Sequence, residues 1–370
     1  MGYRLGVYGP AEEGVVEALS EAGFDAIFTE PREEYVERAH EAGLKVYACL
    51  WVFRAPRGDP RLGVENVSGR RVLWAGAGCP NNPEVRENSR RMVEHAVSLG
   101  VDGVVLDGVR FPSPGSGMDA FLSCFCPFCA EKAREYGCDL ESVKECLREF
   151  RKNFKALLGS MAEGVGFSRL PSGCAGFADW LEFRASSIVE AVEELRREAR
   201  SVDPGVEVGA ALFAPGLSLL VGQDYGRLSE VLDFVQPMVY HRGDGVACIN
   251  YELASLAEAW VDEGERSAVL DKLYGLLGYR GYRPSLKVSQ LVEGGLPQEV
   301  VGVEVERAVK LVGGGVLTPV LWVVGLTAEE VESLVRLASG LAVEGLVFFN
   351  YQESLLRQGT KIFYTVDNVQ

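Results

Sequence analysis

One acid in this chain is placed where chemistry is done. Asp107 closes the run Val104-Val105-Leu106-Asp107, three apolar residues that fit a buried strand with a carboxylate at its end. Gly108 leaves room beside it, and Arg110 is near enough to keep the carboxylate ionised or to orient a ligand. The competing reading is a structural ion pair with Arg110. Tyr240-His241-Arg242-Gly243-Asp244 follows another apolar run and carries the one histidine of three that falls at a strand end, His40 and His95 lying in predicted helices. His241 suits hydroxyl binding or proton shuttling, and a hydrogen-bonded loop residue equally well. Cys124, Cys126 and Cys129 put three thiols within six residues, the spacing of a tetrahedral zinc site that takes its fourth ligand from elsewhere. Cys138 and Cys79 are the candidates for that ligand, with Cys138 nearer in sequence. A closed site of this kind staples a loop and does no chemistry; free thiols or a disulfide are the alternative.

These residues need elements to position them, and the chain alternates strand-like and helix-like segments in the manner of a parallel sheet with crossover helices. Strands are expected at 4–8, 24–29, 44–52, 101–107, 206–213, 234–240, 316–323 and 346–350. Helices are expected at 12–22, 32–42, 83–99, 178–202, 225–232 and 328–338, with glycines at 23, 43 and 100 closing the first three. Eight strands predict an α/β fold, a (β/α)8 TIM barrel occupying residues 1–370 as one domain. The rhythm breaks at 108–174, read as a cysteine-containing insertion after the fourth strand, and weakens again at 264–300, where Leu286–Leu291 is either a strand or part of a second insertion. Gly313-Gly314-Gly315 lacks the Lys and Ser/Thr of a phosphate-binding loop and reads as a turn.

In a parallel barrel all strands deliver their last residues to one face. Those ends hold Tyr8, Trp51, Arg110, Gln236, Tyr240, His241, Trp322, Asn350 and Tyr351 as candidate substrate contacts around Asp107. Aromatic faces beside carboxylates suit a carbohydrate, the rings covering apolar sugar faces and the acids working in pairs. Glu30, Asp244 and Glu353 are the candidate second carboxylates, and none stands clear of the others. Glu30 precedes Pro31 and also suits a helix N-terminus, where an acid is favoured.

Bulk composition limits the alternatives. With 47% apolar and 24% charged residues the chain has the makings of a large core. A net charge of −16 argues against nucleic-acid and anionic-membrane partners, which require basic patches. The first residues hold no apolar signal region and no later run is long enough to span a bilayer, so the expected location is cytoplasmic. Abundant Glu and Arg with sparse Gln fit a thermophile.

The chain also resembles the hypothetical glycoside hydrolase-like barrels. The resemblance lies in Cys79-Pro80-Asn81-Asn82-Pro83-Glu84-Val85-Arg86, in Val101 through Pro112 around Asp107, in Cys124-Phe125-Cys126-Pro127-Phe128-Cys129 and in Tyr136-Gly137, about a third of the chain including the strand pattern around it. It implies retaining or inverting attack at an anomeric carbon, with Asp107 where alpha-L-fucosidase-like barrels carry their nucleophile. The cysteine segment looks like the zinc-binding loop of some barrel beta-galactosidases, which implies a structural metal and no catalytic cofactor. The fifth strand departs from the pattern, since Val208 through Phe213 ends without an acid. That leaves two expectations: a glycoside hydrolase with Glu30, Asp244 or Glu353 completing the pair, or a barrel that binds carbohydrate without cleaving it.

Overall fold

The computed structural model describes residues 5–168 and 175–352. Its centre is a closed barrel of eight parallel strands: β1 Leu5–Tyr8, β2 Ala26–Thr29, β3 Lys45–Trp51, β4 Gly103–Asp107, β5 Glu207–Phe213, β6 Phe234–Met238, β7 Val320–Trp322 and β8 Leu346–Phe349. Each strand pairs with its sequence neighbours, and β8 closes onto β1 through Leu5 opposite Leu346. The eight strands expected from the alternation are all present, so the (β/α)8 barrel is the fold. Open-sheet alternatives are ruled out by the β1–β8 pairing.

Side-chain alternation decides what faces the axis. On β4, Val104 and Leu106 pack outward into the layer between strands and helices, while Val105 packs into the barrel interior. Asp107 shares the phase of Val105 and therefore points inward. The same count turns Tyr47, Cys49 and Trp51 inward on β3 and Ala211 and Phe213 inward on β5. Below the mouth the interior is filled by stacked rings, with Tyr8 to Phe28 at 4.9 Å, Phe28 to Tyr47 at 5.0 Å and Tyr47 edge-on to Phe234 at 5.5 Å. That plug forces any ligand to the C-terminal face.

The outer helices begin and end as their sequences dictate. Asn82 caps helix Pro83–Ser98 by accepting from the N–H groups of Glu84 and Val85, with Pro83 in the first turn where its missing N–H costs nothing. Gly23, Gly43 and Gly100 leave the preceding helices at φ near +80° (86°, 81° and 79°), a conformation strained for any side chain.

Residues after β4 and β6 build a second apolar core beside the barrel. Helices Leu140–Arg148 and Phe150–Ser160 pack with Ile249–Ala257 and Glu263–Leu277 around Phe150, Phe154, Phe177, Trp180 and Trp260, whose rings lie 4.9–6.2 Å from their neighbours. The stretch 264–300 is helical where it is regular; Val288–Gly294 is a helix, so Leu286–Leu291 adds no strand. No helix among the described residues is long and apolar enough to cross a membrane.

Candidate active site

A cavity of about 240 Å³ opens at the C-terminal ends of the strands. One wall is a continuous run of rings from β8, β7 and the end of β6: Trp322 stacks on Phe349 at 5.3 Å, and Tyr240 lies 5.5 Å from Trp322 and 5.4 Å from Phe349. Tyr8 joins this wall at 5.9 Å from Phe349, and its hydroxyl donates to Gln236 Oε1 at 2.6 Å. The opposite wall carries Trp51, Arg110 and Phe213, and Met238, Ala211 and Cys49 line the interior.

Asp107 sits between the two walls, with its Cα in register with Trp51. Its Oδ1 accepts the N–H of Gly108 at 2.7 Å, a contact available because Gly108 adopts φ 66°. Burial pushes the carboxyl above its ordinary value of 3.8, while the Gly108 N–H and the Arg110 charge pull the other way. Tyr240 and Cys49 lie in the same field. Burial raises both, and the Asp107 charge raises them further. The floor of the cavity is thus a cluster of groups that favour their neutral, protonated forms.

Arg110 is 2% exposed and lies against two rings, its guanidinium carbon 4.3 Å from the centre of Trp74 and 4.7 Å from that of Phe213. Nη1 donates to the Phe111 carbonyl at 3.0 Å. Burial lowers its pKa to about 10, against the charges of Glu252 and Asp107. Glu252, on helix Ile249–Ala257, is a buried carboxylate that composition and strand ends did not flag. Its oxygens accept from Ser113 Oγ at 2.9 Å and from the N–H groups of Gly115 at 2.7 Å and Ala247 at 3.0 Å, so it ties three loops together behind the cavity.

Of the residues singled out from sequence, Tyr8, Trp51, Asp107, Arg110, Tyr240 and Trp322 line the cavity together. The others stand elsewhere. Gln236 is fully buried below Tyr8 and fixes its hydroxyl. His241 is buried off the cavity, kept neutral by burial and Arg242, which lower its pKa to about 4. Asn350 is exposed and Tyr351 packs outward, its N–H donating to the Tyr8 carbonyl at 2.7 Å. Glu30 is exposed and bonded to Arg32, with Nε of Arg32 at 3.0 Å. Asp244 is exposed on the loop leading to Val246 and Ala247, two cavity residues. Glu353 lies outside the described residues. Phe213, which ends the fifth strand in the sequence, also lines the cavity, whereas Cys49 and Phe349 were missed, although the in-phase spacing of Cys49 with Trp51 in Lys45–Trp51 carries the signal for the first.

The thiol cluster forms with one change of ligand. Cys79, Cys124, Cys126 and Cys129 are all buried with their sulfurs within 4.8 Å of one another. Cys138 stands apart, its Sγ directed at the Asp179 carbonyl 3.7 Å away, because it follows the helix Pro127–Glu135 while Cys79 immediately precedes the capped helix at Pro83. The Cys79 sulfur is 3.6 Å from Cys126, 3.4 Å from Cys129 and 3.7 Å from Cys124. A tetrahedral metal with S–metal bonds of about 2.3 Å sets its sulfurs about 3.8 Å apart, so the four fit such an ion. Backbone N–H groups of Glu65, Asn81 and Cys129 point at the sulfurs of Cys124, Cys79 and Cys126 at 3.2–3.4 Å, as thiolates require.

Solved structures share this architecture. The polyextremophilic beta-galactosidase from the Antarctic haloarchaeon Halorubrum lacusprofundi superposes with a TM-score of 0.57 at 16% identity, over 95% of this chain and 53% of that one. The beta-galactosidase from the psychrophilic Marinomonas ef1 gives 0.55 at 14%, over 94% and 54%. Gan42B, a GH42 beta-galactosidase from G. stearothermophilus, gives 0.56 at 12%, over 99% and 55%. What these enzymes share with this chain is the (β/α)8-barrel fold. This barrel spans little more than half the length of those enzymes. No protein-family model matches the chain, and no curated protein matches its sequence.

Proposed function

We propose that this glycoside hydrolase-like barrel acts on carbohydrate, holding a sugar between its two aromatic walls and cleaving a glycosidic bond with Asp107. The observation that supports this most is the position of Asp107: an inward-facing strand-end carboxyl in a cavity walled by Trp51, Tyr240, Trp322 and Phe349. Burial raises the carboxyl, which moves it toward the range in which a carboxyl exchanges protons with a glycosidic oxygen. The second carboxyl is then brought by the rim, where Asp244 precedes the cavity residues Val246 and Ala247.

A panel of nitrophenyl glycosides tests this. Asp107→Asn is expected to lower turnover by about 10²–10⁴-fold while sugar binding persists; unchanged turnover removes Asp107 from the reaction. A second reading, binding without cleavage, is favoured by one observation: among the described residues Asp107 is the sole carboxylate on the cavity wall. Sugar binding with no turnover of any glycoside, and no effect of Asp244→Asn, selects that reading.

The thiol cluster is proposed to hold a structural zinc ion. Bound there, the metal would clamp the segment at Cys79 to the segment 124–129, and it takes no part in the chemistry of the cavity.

A further inference from the structure

Resting on the carbohydrate reading, we infer that the sugar this cavity selects carries a carboxylate, as a hexuronic acid does, and that Arg110 is the residue that reads it. A guanidinium has five N–H donors. Among the described residues the only acceptor that meets Arg110 is the Phe111 carbonyl, on Nη1. The Trp74 and Phe213 rings lie 4.3 and 4.7 Å from the guanidinium carbon, the remaining donors lie in the guanidinium plane, and Arg110 is part of the cavity lining. A planar fork with unmet donors at the edge of an aromatic slot matches a carboxylate, which accepts two parallel N–H bonds in one plane.

The neighbouring acids do not occupy that fork. No ion pair joins Arg110 to any carboxylate among the described residues, and both Glu252 oxygens are taken up by Ser113, Gly115 and Ala247. Burial without a bonded counter-ion costs Arg110 part of its basicity, and a bound carboxylate would restore it. The same anion would push the Asp107 carboxyl further in the direction burial already takes it.

Free D-glucuronate and D-galacturonate, compared with D-glucose and D-galactose by ligand-observed NMR titration, provide the test, because each free sugar presents both anomers. The uronates are expected to bind roughly tenfold tighter than their neutral counterparts, with the gap shrinking as salt is raised. Arg110→Gln should erase the preference, bringing uronate affinity down to that of the neutral sugars for the same variant, and Arg110→Lys, which keeps the charge and loses the planar fork, should retain only part of it. Thermal midpoints of both variants near that of the parent chain show that the fold is intact. Equal or tighter binding of the neutral sugars overturns the carboxylate inference alone. Absence of binding by all four sugars overturns it together with the carbohydrate reading.

Discussion

Two buried arginines divide this molecule into a part that holds it together and a part left open for a ligand. Arg184 is fully buried, stacked 4.0 Å over Trp180, and its two terminal nitrogens donate to four carbonyls, Leu220 at 2.6 Å, Phe121, Ser123 at 2.7 Å and Pro112 at 3.3 Å, while its Nε meets no acceptor among the described residues. Arg110, equally hidden and also stacked on rings, meets one carbonyl. Both lose basicity through burial, but the charges that support Arg184 are the thiols of Cys124 and Cys129, whereas those that support Arg110 are Glu252 behind the cavity and Asp107 within it. A buried cation whose terminal nitrogens are all bonded to backbone carbonyls is part of the scaffold. One whose hydrogen bonds are left unmade beside a cavity awaits a partner from outside.

The sharpest way to break that distinction is to remove each arginine. Arg184→Gln strands several buried carbonyls and withdraws the cation beside the thiol cluster, so it should cost about 3–5 kcal/mol in urea denaturation. Arg110→Gln gives up one hydrogen bond and its ring contacts and should cost about 1–2 kcal/mol. Equal losses would make Arg110 as structural as Arg184.

The next effect is on the metal. Cys79→Ser should reduce bound zinc, measured by elemental analysis, from about one per chain to a small fraction of that, because a structural site needs its fourth thiolate. Cys138→Ser should leave it unchanged. Since metal must displace protons from the thiols, loading should fall as pH is lowered, and a chelator should lower the melting temperature without altering the cavity. Zinc retained in Cys79→Ser but lost in Cys138→Ser would reverse the ligand assignment.

These regions also differ in how far they could be read from sequence. The barrel was legible because each strand is a short apolar run bounded by turn residues, and because period-two counting along Val104-Val105-Leu106-Asp107 decides which way the acid points. The same counting would have found Cys49. Three of the four thiols were legible from local spacing, yet nothing local separates Cys79 from Cys138. That choice depends on how the loop before Pro83 folds against residues 124–129. Arg184 and Trp74 were hidden for the same reason, as their partners come from distant loops. Glu252 left a trace: an acid and Asn250 inside the otherwise apolar helix Ile249–Ala257 require buried partners. The rim was the least legible, because a strand end guarantees a face but not an orientation, and Glu30, His241 and Tyr351 all turned away from the cavity.

The smallest effects expected are on stability, and they separate the cavity acid from the surface acids by sign. Asp107 has its folded-state pKa raised by burial, so the folded protein binds its proton more tightly than the unfolded chain does. Its ionisation therefore costs stability, fully above the folded pKa and not at all below the unfolded one. Asp107→Asn should then stabilise the protein at pH 7 and lose that advantage as pH falls through the folded pKa toward about 4. An increase of this kind at the residue on which turnover depends is the stability cost of a functional carboxyl. Glu30→Gln, by contrast, removes an exposed contact with Arg32 and should change stability by less than about 0.5 kcal/mol at any pH, with turnover unaffected. If Asp107→Asn instead destabilises at pH 7, the carboxylate is satisfied in its charged form, and Asp107 joins Arg184 on the structural side.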